Sequence, residues 1–199
     1  LTITHNLSWS DHIDGVLSSA SKMLDATRKL QYQLDRATLE TIYFSFIRPK
    51  LDYGCQIWDD CTDREKEKLE KFQLTAARIV TGAKKGTSHQ LLYEETQWQK
   101  LSDRRMSIKL NYMHRIVNNT APKYLCELLP NHVGDNITYN LRGNQNLRQV
   151  KCRTEKYRKS FLPNCINLWN NLNQETKSRV ELEEFKTCTR FDKVSNEVS

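Results

Sequence analysis

The sequence predicts a mainly α fold, a helical bundle with a short N-terminal strand and a small C-terminal β-hairpin followed by helices, and three observations predict it. Apolar residues recur at three- and four-residue spacing through most of the chain; helix-start signals precede those runs; and the composition shifts to Asn, Gly, Arg and Gln after residue 130. The expected organisation is a helical domain over 1–130 joined to a basic annex over 131–199, which carries the hairpin and two short helices. At 199 residues the chain is long enough to bury roughly 70% of its unfolded surface.

The central stretch is 35–58. Leu39, Ile42, Tyr43, Phe46 and Ile47 form an apolar helical stripe, Asp35 is suited to cap it, and Arg48-Pro49 predicts a kink. A second turn-and-a-half then carries Leu51, Cys55 and Trp58 inward. Before it, residues 1–9 alternate loosely and read as a short strand that needs a partner, and Ser10 is placed to cap a helix over 11–30 whose face is Ile13, Val16, Leu17, Ala20, Leu24, Thr27 and Leu30. Thr62 and Glu65 have capping-box spacing, Leu69, Phe72, Ala76, Ile79 and Val80 form the stripe of the next helix, and Gly82 ends it.

A helical turn over 90–95 and Trp98 follow. Ser102 is the expected cap of a helix to about Asn118 with Leu101, Arg105, Ile108, Tyr112 and Ile116 along one line. Residues 136–141 and 149–156 read as two strands around a turn at Gly143 to Asn146. Phe161, Cys165, Leu168, Trp169 and Leu172 repeat at helical spacing, and a last helix near 180–189 turns Leu182 and Phe185 inward.

Composition excludes several classes. With 38% hydrophobic and 28% charged residues, and no apolar run near the roughly 20 residues a bilayer span requires, no membrane partner is expected. The chain opens on Leu1 with no basic-then-apolar leader, so it reads as a piece of a longer, intracellular polypeptide, nuclear and cytoplasmic. The six cysteines are scattered without a CxxC pair and the five histidines complete no zinc spacing, which points to thiols in a reducing compartment and to no metal ligand set. No phosphate-loop, dinucleotide, zincin or nucleophile-elbow pattern is present. Asp59-Asp60 is the one acidic doublet of a metal-binding type, and adjacent aspartates at a helix end more often cap the next turn. No catalytic residue is therefore assigned, and the chain carries no cofactor of its own.

The net charge of +7 is concentrated. Residues 141–160 hold seven cations, Arg142, Arg148, Lys151, Arg153, Lys156, Arg158 and Lys159, against the single carboxylate of Glu155. Such a patch suits a polyanion, although a solvated face has the same composition. Arg104, Arg105 and Lys109, interleaved with Tyr112 and His114, form a second candidate phosphate-facing flank. A helical protein–protein interaction module whose basic face is merely solvated is the alternative; the two differ in salt dependence.

In order along the chain stand LTITHNLSWSDHI (1–13), IRPKLDYGCQIW (47–58), FQLTAARIVTG (72–82), WQKLSDRR (98–105), APKYLCELLP (121–130), Leu141-Arg142, Ser160-Phe161, WNNL (169–172) and Phe185-Lys186. This string, covering the chain almost end to end, resembles the region downstream of the polymerase palm in reverse transcriptases of LINE-type (non-LTR) retrotransposons, of the jockey-like and chicken-repeat-like kind. The resemblance implies a thumb-like helical domain, a parent RNA-directed DNA polymerase, an RNA/DNA template–primer duplex and the palm of the same polypeptide as partners, and Mg2+ used at a site outside this stretch. The family's Tyr/Phe-x-Asp-Asp carboxylates do not occur here, so the implied role is to hold the duplex by phosphate contacts rather than to polymerise.

Overall fold

A computed structural model of the protein describes residues 1–136 and 145–191. The chain is mainly helical and divides into two compact units, Leu1–Arg105 and Met106–Ser199. The composition shift at Asn131 thus falls inside the second unit.

In the first unit α1 (Ser10–Leu30) buries Ile13, Ala20, Leu24 and Thr27, four residues on one face. No strand forms before it: Leu7 N–H donates to the Thr4 carbonyl (2.9 Å), Thr4 N–H to that of Ser8 (3.2 Å), and Leu7 has φ +59°. A lone strand leaves its backbone groups unpaired, whereas this turn satisfies them locally. Ser10 is already the first residue of α1, and Trp9 occupies the cap position with no side-chain bond.

After α2 (Arg36–Ile42), capped by the Asp35 carboxylate on Thr38 N–H at 2.8 Å, the chain widens into a π turn at Tyr43–Ile47 before α3 (Arg48–Asp52). Arg48 N–H donates to the carbonyl of Tyr43, five residues back. Pro49 has no N–H and its ring crowds the carbonyl four residues before it, so the wider turn relieves a conflict that a kink was expected to absorb. The extra residue rotates the face: Tyr43 and Ile47 are interior, but Phe46 is 54% exposed rather than buried. Gly54 at φ +64°, a left-handed conformation costly for a side chain, starts α4 (Cys55–Trp58), which buries Cys55 and Trp58.

The capping box at Thr62 and Glu65 opens α5 (Asp63–Thr81), and Gly82 closes it at φ +69°. Leu69, Ala76, Ile79 and Val80 are buried as the spacing predicts, joined by Gln73, Leu74 and Ala77, while Phe72 is only half-buried. Then come α6 (His89–Thr96), capped by Ser88, and α7 (Leu101–Val117), within which the first unit ends. Ser102 does not cap α7: the Glu70 carboxylate accepts from Leu101 N–H at 3.0 Å, so a residue of α5 supplies the anion that a helix N-terminus favours.

The second unit gathers Leu110, Met113, Leu147, Cys165, Ile166, Trp169 and Phe185 into one core. Its elements after α7 are α8 (Lys123–Cys126), a 3-10 turn at Val133–Asn136, α9 (Glu155–Lys159), α10 (Phe161–Asn170), α11 (Gln174–Lys177) and α12 (Leu182–Phe191). The inward line of α7 is Leu110, Met113, His114 and Ile116; Ile108 is half-buried and Tyr112 41% exposed, contrary to the expected stripe.

No strand occurs among the described residues, and the only pairing of that kind is an isolated antiparallel bridge, His132 with Leu147. The first expected hairpin strand, 136–141, lies almost wholly outside the described residues. The second, 149–156, is not a strand. Just before it, Asn170 clasps the backbone of Leu147, its Nδ2 donating to the carbonyl (2.8 Å) and its Oδ1 accepting from the N–H (3.0 Å), so a side-chain amide satisfies both groups on the edge away from His132. Thr154 then caps α9 through Tyr157 N–H at 3.2 Å, and the residues that looked extended become a helix start.

Candidate nucleic-acid interface

The ten cations singled out by sequence divide into two kinds. Arg104 is half-buried, its Nε 2.5 Å from Asp52 Oδ2. Arg105 is 1% exposed, its Nε lies 2.9 Å from Asp59 Oδ1 and its guanidinium 5.5 Å from the centre of the Trp58 ring. Lys109 is buried in the second unit, where its Nζ donates to Asn164 Oδ1 at 3.0 Å. These three were expected as an exposed charged flank; the structure buries Arg105 and Lys109 and leaves Arg104 half-buried, each beside a carboxylate or amide, as a charge withdrawn from water requires. Asp59 is therefore an ion-pair partner, and Asp60 accepts from Trp9 Nε1 at 2.5 Å; neither caps the following helix. No cluster of three or more His, Cys, Asp or Glu side chains suited to a metal occurs among the described residues.

The remaining cations sit in the second unit. Arg142 lies outside the described residues. Arg148 is half-buried, and its N–H donates to the carbonyl of Asn131 at 3.1 Å. Lys151, Arg153, Lys156, Arg158 and Lys159 are all exposed, on an irregular segment that runs into α9. Within α9 the Glu155 carboxylate takes Arg158 through two hydrogen bonds, 2.8 Å from Nε and 2.7 Å from Nη2, and lies 3.6 Å from Lys159. That pairing holds the carboxyl of Glu155 below the usual carboxylate range, chiefly through the Arg158 hydrogen bond. Lys151, Arg153 and Lys156 have no ion-pair partner among the described residues, so their charge is open to solvent.

No protein-family model, curated protein sequence or solved structure matches the chain.

Position on an exposed segment matters more than count. Five cations over nine residues, faced by one carboxylate, leave a local positive excess, and those neighbours that lie within the screening length of about 8 Å at physiological salt reinforce one another. Tyr157, 46% exposed among them, adds a ring on which an unpaired base can stack. Sequence reasoning passed over Tyr157, although an aromatic residue inside a cationic run is the signal that marks it. The segment can bind phosphate oxygens and one stacked base; it contains no carboxylate arrangement for proton or metal chemistry.

The six cysteines form no disulfide. Burial pushes the Cys61 thiol up to about 11. No helix among the described residues is long and apolar enough to cross a membrane.

Proposed function

We propose that this chain is the thumb and C-terminal region of a retroelement RNA-directed DNA polymerase, and that it binds the RNA/DNA template–primer without reading its sequence. The observation that carries the reading is the exposed run Lys151, Arg153 and Lys156, unpaired beside Tyr157. Phosphate contacts of this kind position a duplex and carry no base information. The ordered anchors support the same reading from the other side, because their large residues form the interior of the first unit: Ile47, Leu51, Cys55, Trp58, Leu101 and Arg105 are each at most 1% exposed. On this reading the nucleotidyl-transfer carboxylates and their Mg2+ belong to the preceding palm. Exposed Leu1, Ile3 and Leu7 belong to the face that meets it.

The test is fluorescence anisotropy of a labelled RNA/DNA hybrid. The affinity of the chain should fall with salt at roughly 0.7–0.9 log units per neutralised phosphate, and Lys151→Ala, Arg153→Ala and Lys156→Ala together should lower that slope by about two to three. A salt-independent affinity, or a slope unchanged in the folded triple variant, would return the assignment to an interaction module. That second reading has its own observation, the exposed aromatic and aliphatic side chains of Phe46, Tyr53 and Ile57.

A further inference from the structure

A cleft in the first unit lies between the turn after α1 and the last turn of α5, and nothing in the duplex-binding reading uses it. Its volume is about 460 Å³, within the range of small-molecule sites. The floor is apolar, formed by Leu39, Ile79 and Val80, all buried. Around it stand Arg36, Arg78 and Lys84, with Tyr32 at the edge, 90% exposed.

The three cations are not equivalent. Arg36 is committed, donating to Glu95 Oε1 at 3.0 Å and to the Glu95 carbonyl at 2.6 Å, with Glu40 at 3.9 Å. Arg78 and Lys84 have no ion-pair partner among the described residues, and the Arg78 Nε is buried without a hydrogen bond. A guanidinium N–H left without an acceptor is unfavourable, and a bound anion supplies the acceptor the fold does not. The carbonyl ends of α1 and α5 contribute roughly half a negative charge each, about one in total, against two uncompensated cations. The balance favours an anion.

We propose that this cleft binds a phosphorylated nucleoside, the phosphate held by Arg78 and Lys84 and the base lying on the apolar floor beside Tyr32. The guanidinium fork matches two phosphate oxygens, the ammonium adds a point charge, and the phenol ring offers a stacking face. Gln31, also on the wall, can both donate to and accept from a base edge. The site stands independently of the polymerase reading, since Lys151, Arg153 and Lys156 belong to the other unit.

The experiment is calorimetric titration of the whole chain with adenosine 5′-monophosphate at low salt. Saturable one-to-one binding is expected, with adenosine and inorganic phosphate each weaker. Arg78→Gln and Lys84→Gln should each weaken binding about tenfold, the loss of one charge-assisted hydrogen bond. Lys84 and Tyr32 are exposed, so Lys84→Gln and Tyr32→Ala keep the test valid even if Arg78→Gln disturbs folding. The Lys151→Ala, Arg153→Ala, Lys156→Ala variant should bind the nucleotide unchanged. A 5′-phosphorylated tetranucleotide separates the sources: tighter binding than the mononucleotide marks a strand end as the ligand, weaker binding a free nucleotide, and both keep the site. Absence of saturation at millimolar nucleotide, affinity unaltered in Lys84→Gln and Tyr32→Ala, or loss of binding in the triple variant would overturn it.

Discussion

Arg105 and Asp59 form an ion pair, Nε to Oδ1 at 2.9 Å, with side chains 1% and 11% exposed and the guanidinium 5.5 Å from the centre of the Trp58 ring. A charge so placed is tolerated only while its partner remains. Asp59→Leu or Arg105→Met alone should destabilise the first unit by about 3–5 kcal/mol, whereas the two together should cost much less than the two single losses combined. Urea melts of the four proteins form the cycle; additive losses would show that the pair is not coupled.

Trp58 and Phe46 should separate sharply. Trp58 is fully buried and donates its Nε1–H to the Tyr53 carbonyl at 2.9 Å, so Trp58→Ala should cost about 3–5 kcal/mol. Phe46 lies within the π turn and is exposed, and Phe46→Ala should change stability by no more than about 1 kcal/mol. Equal losses in chemical denaturation would place Phe46 back in the core.

His12 should make the first unit acid-sensitive. Its ring lies between Trp9 and Trp58, at centroid distances of 6.1 and 5.9 Å, with Nε2 buried and unpartnered, and burial lowers its pKa. Between that lowered folded value and the unfolded value of about 6.5, the unfolded chain binds more protons. Stability therefore rises with pH across this window and is lost on acidification. Denaturation midpoints at about pH 5 and 7.5 should converge in His12→Phe relative to the parent; an unchanged difference would assign the pH dependence elsewhere.

The thiols should alkylate in order of exposure. Cys61, buried and pushed up to about 11, should react far more slowly with iodoacetamide near pH 8 than half-buried Cys152. Cys126 is half-buried whereas Cys55 is buried, so Cys126 should label faster than Cys55. Mass-spectrometric time courses on the native chain would reveal any reversal.

Much of the helical framework was legible in the sequence because its causes are local. The Thr62–Glu65 box, the Asp35 cap, the glycine at the end of α5 and the buried part of each stripe, Ile13, Ala20, Leu24 and Thr27 in α1, Leu69, Ala76, Ile79 and Val80 in α5, Cys165 and Trp169 in α10, depend on neighbours within one or two turns, whereas Leu30 is exposed and Leu168 only half-buried. The exposed cationic run at 151–159 was legible too, since five charges in nine residues are not buried together. Contacts distant in sequence were not. Nothing near Arg105 announces that Asp59, 46 positions earlier, neutralises it, so a buried residue looked like a phosphate ligand. The fate of Phe46 turned on one extra residue in a π turn beside Pro49, and the backbone of Leu147 is satisfied by the Asn170 amide, 23 positions later. Which charges face solvent, and which backbone groups need no partner strand, were decided only by the tertiary structure, because desolvation and hydrogen-bond satisfaction are set by what the fold brings alongside.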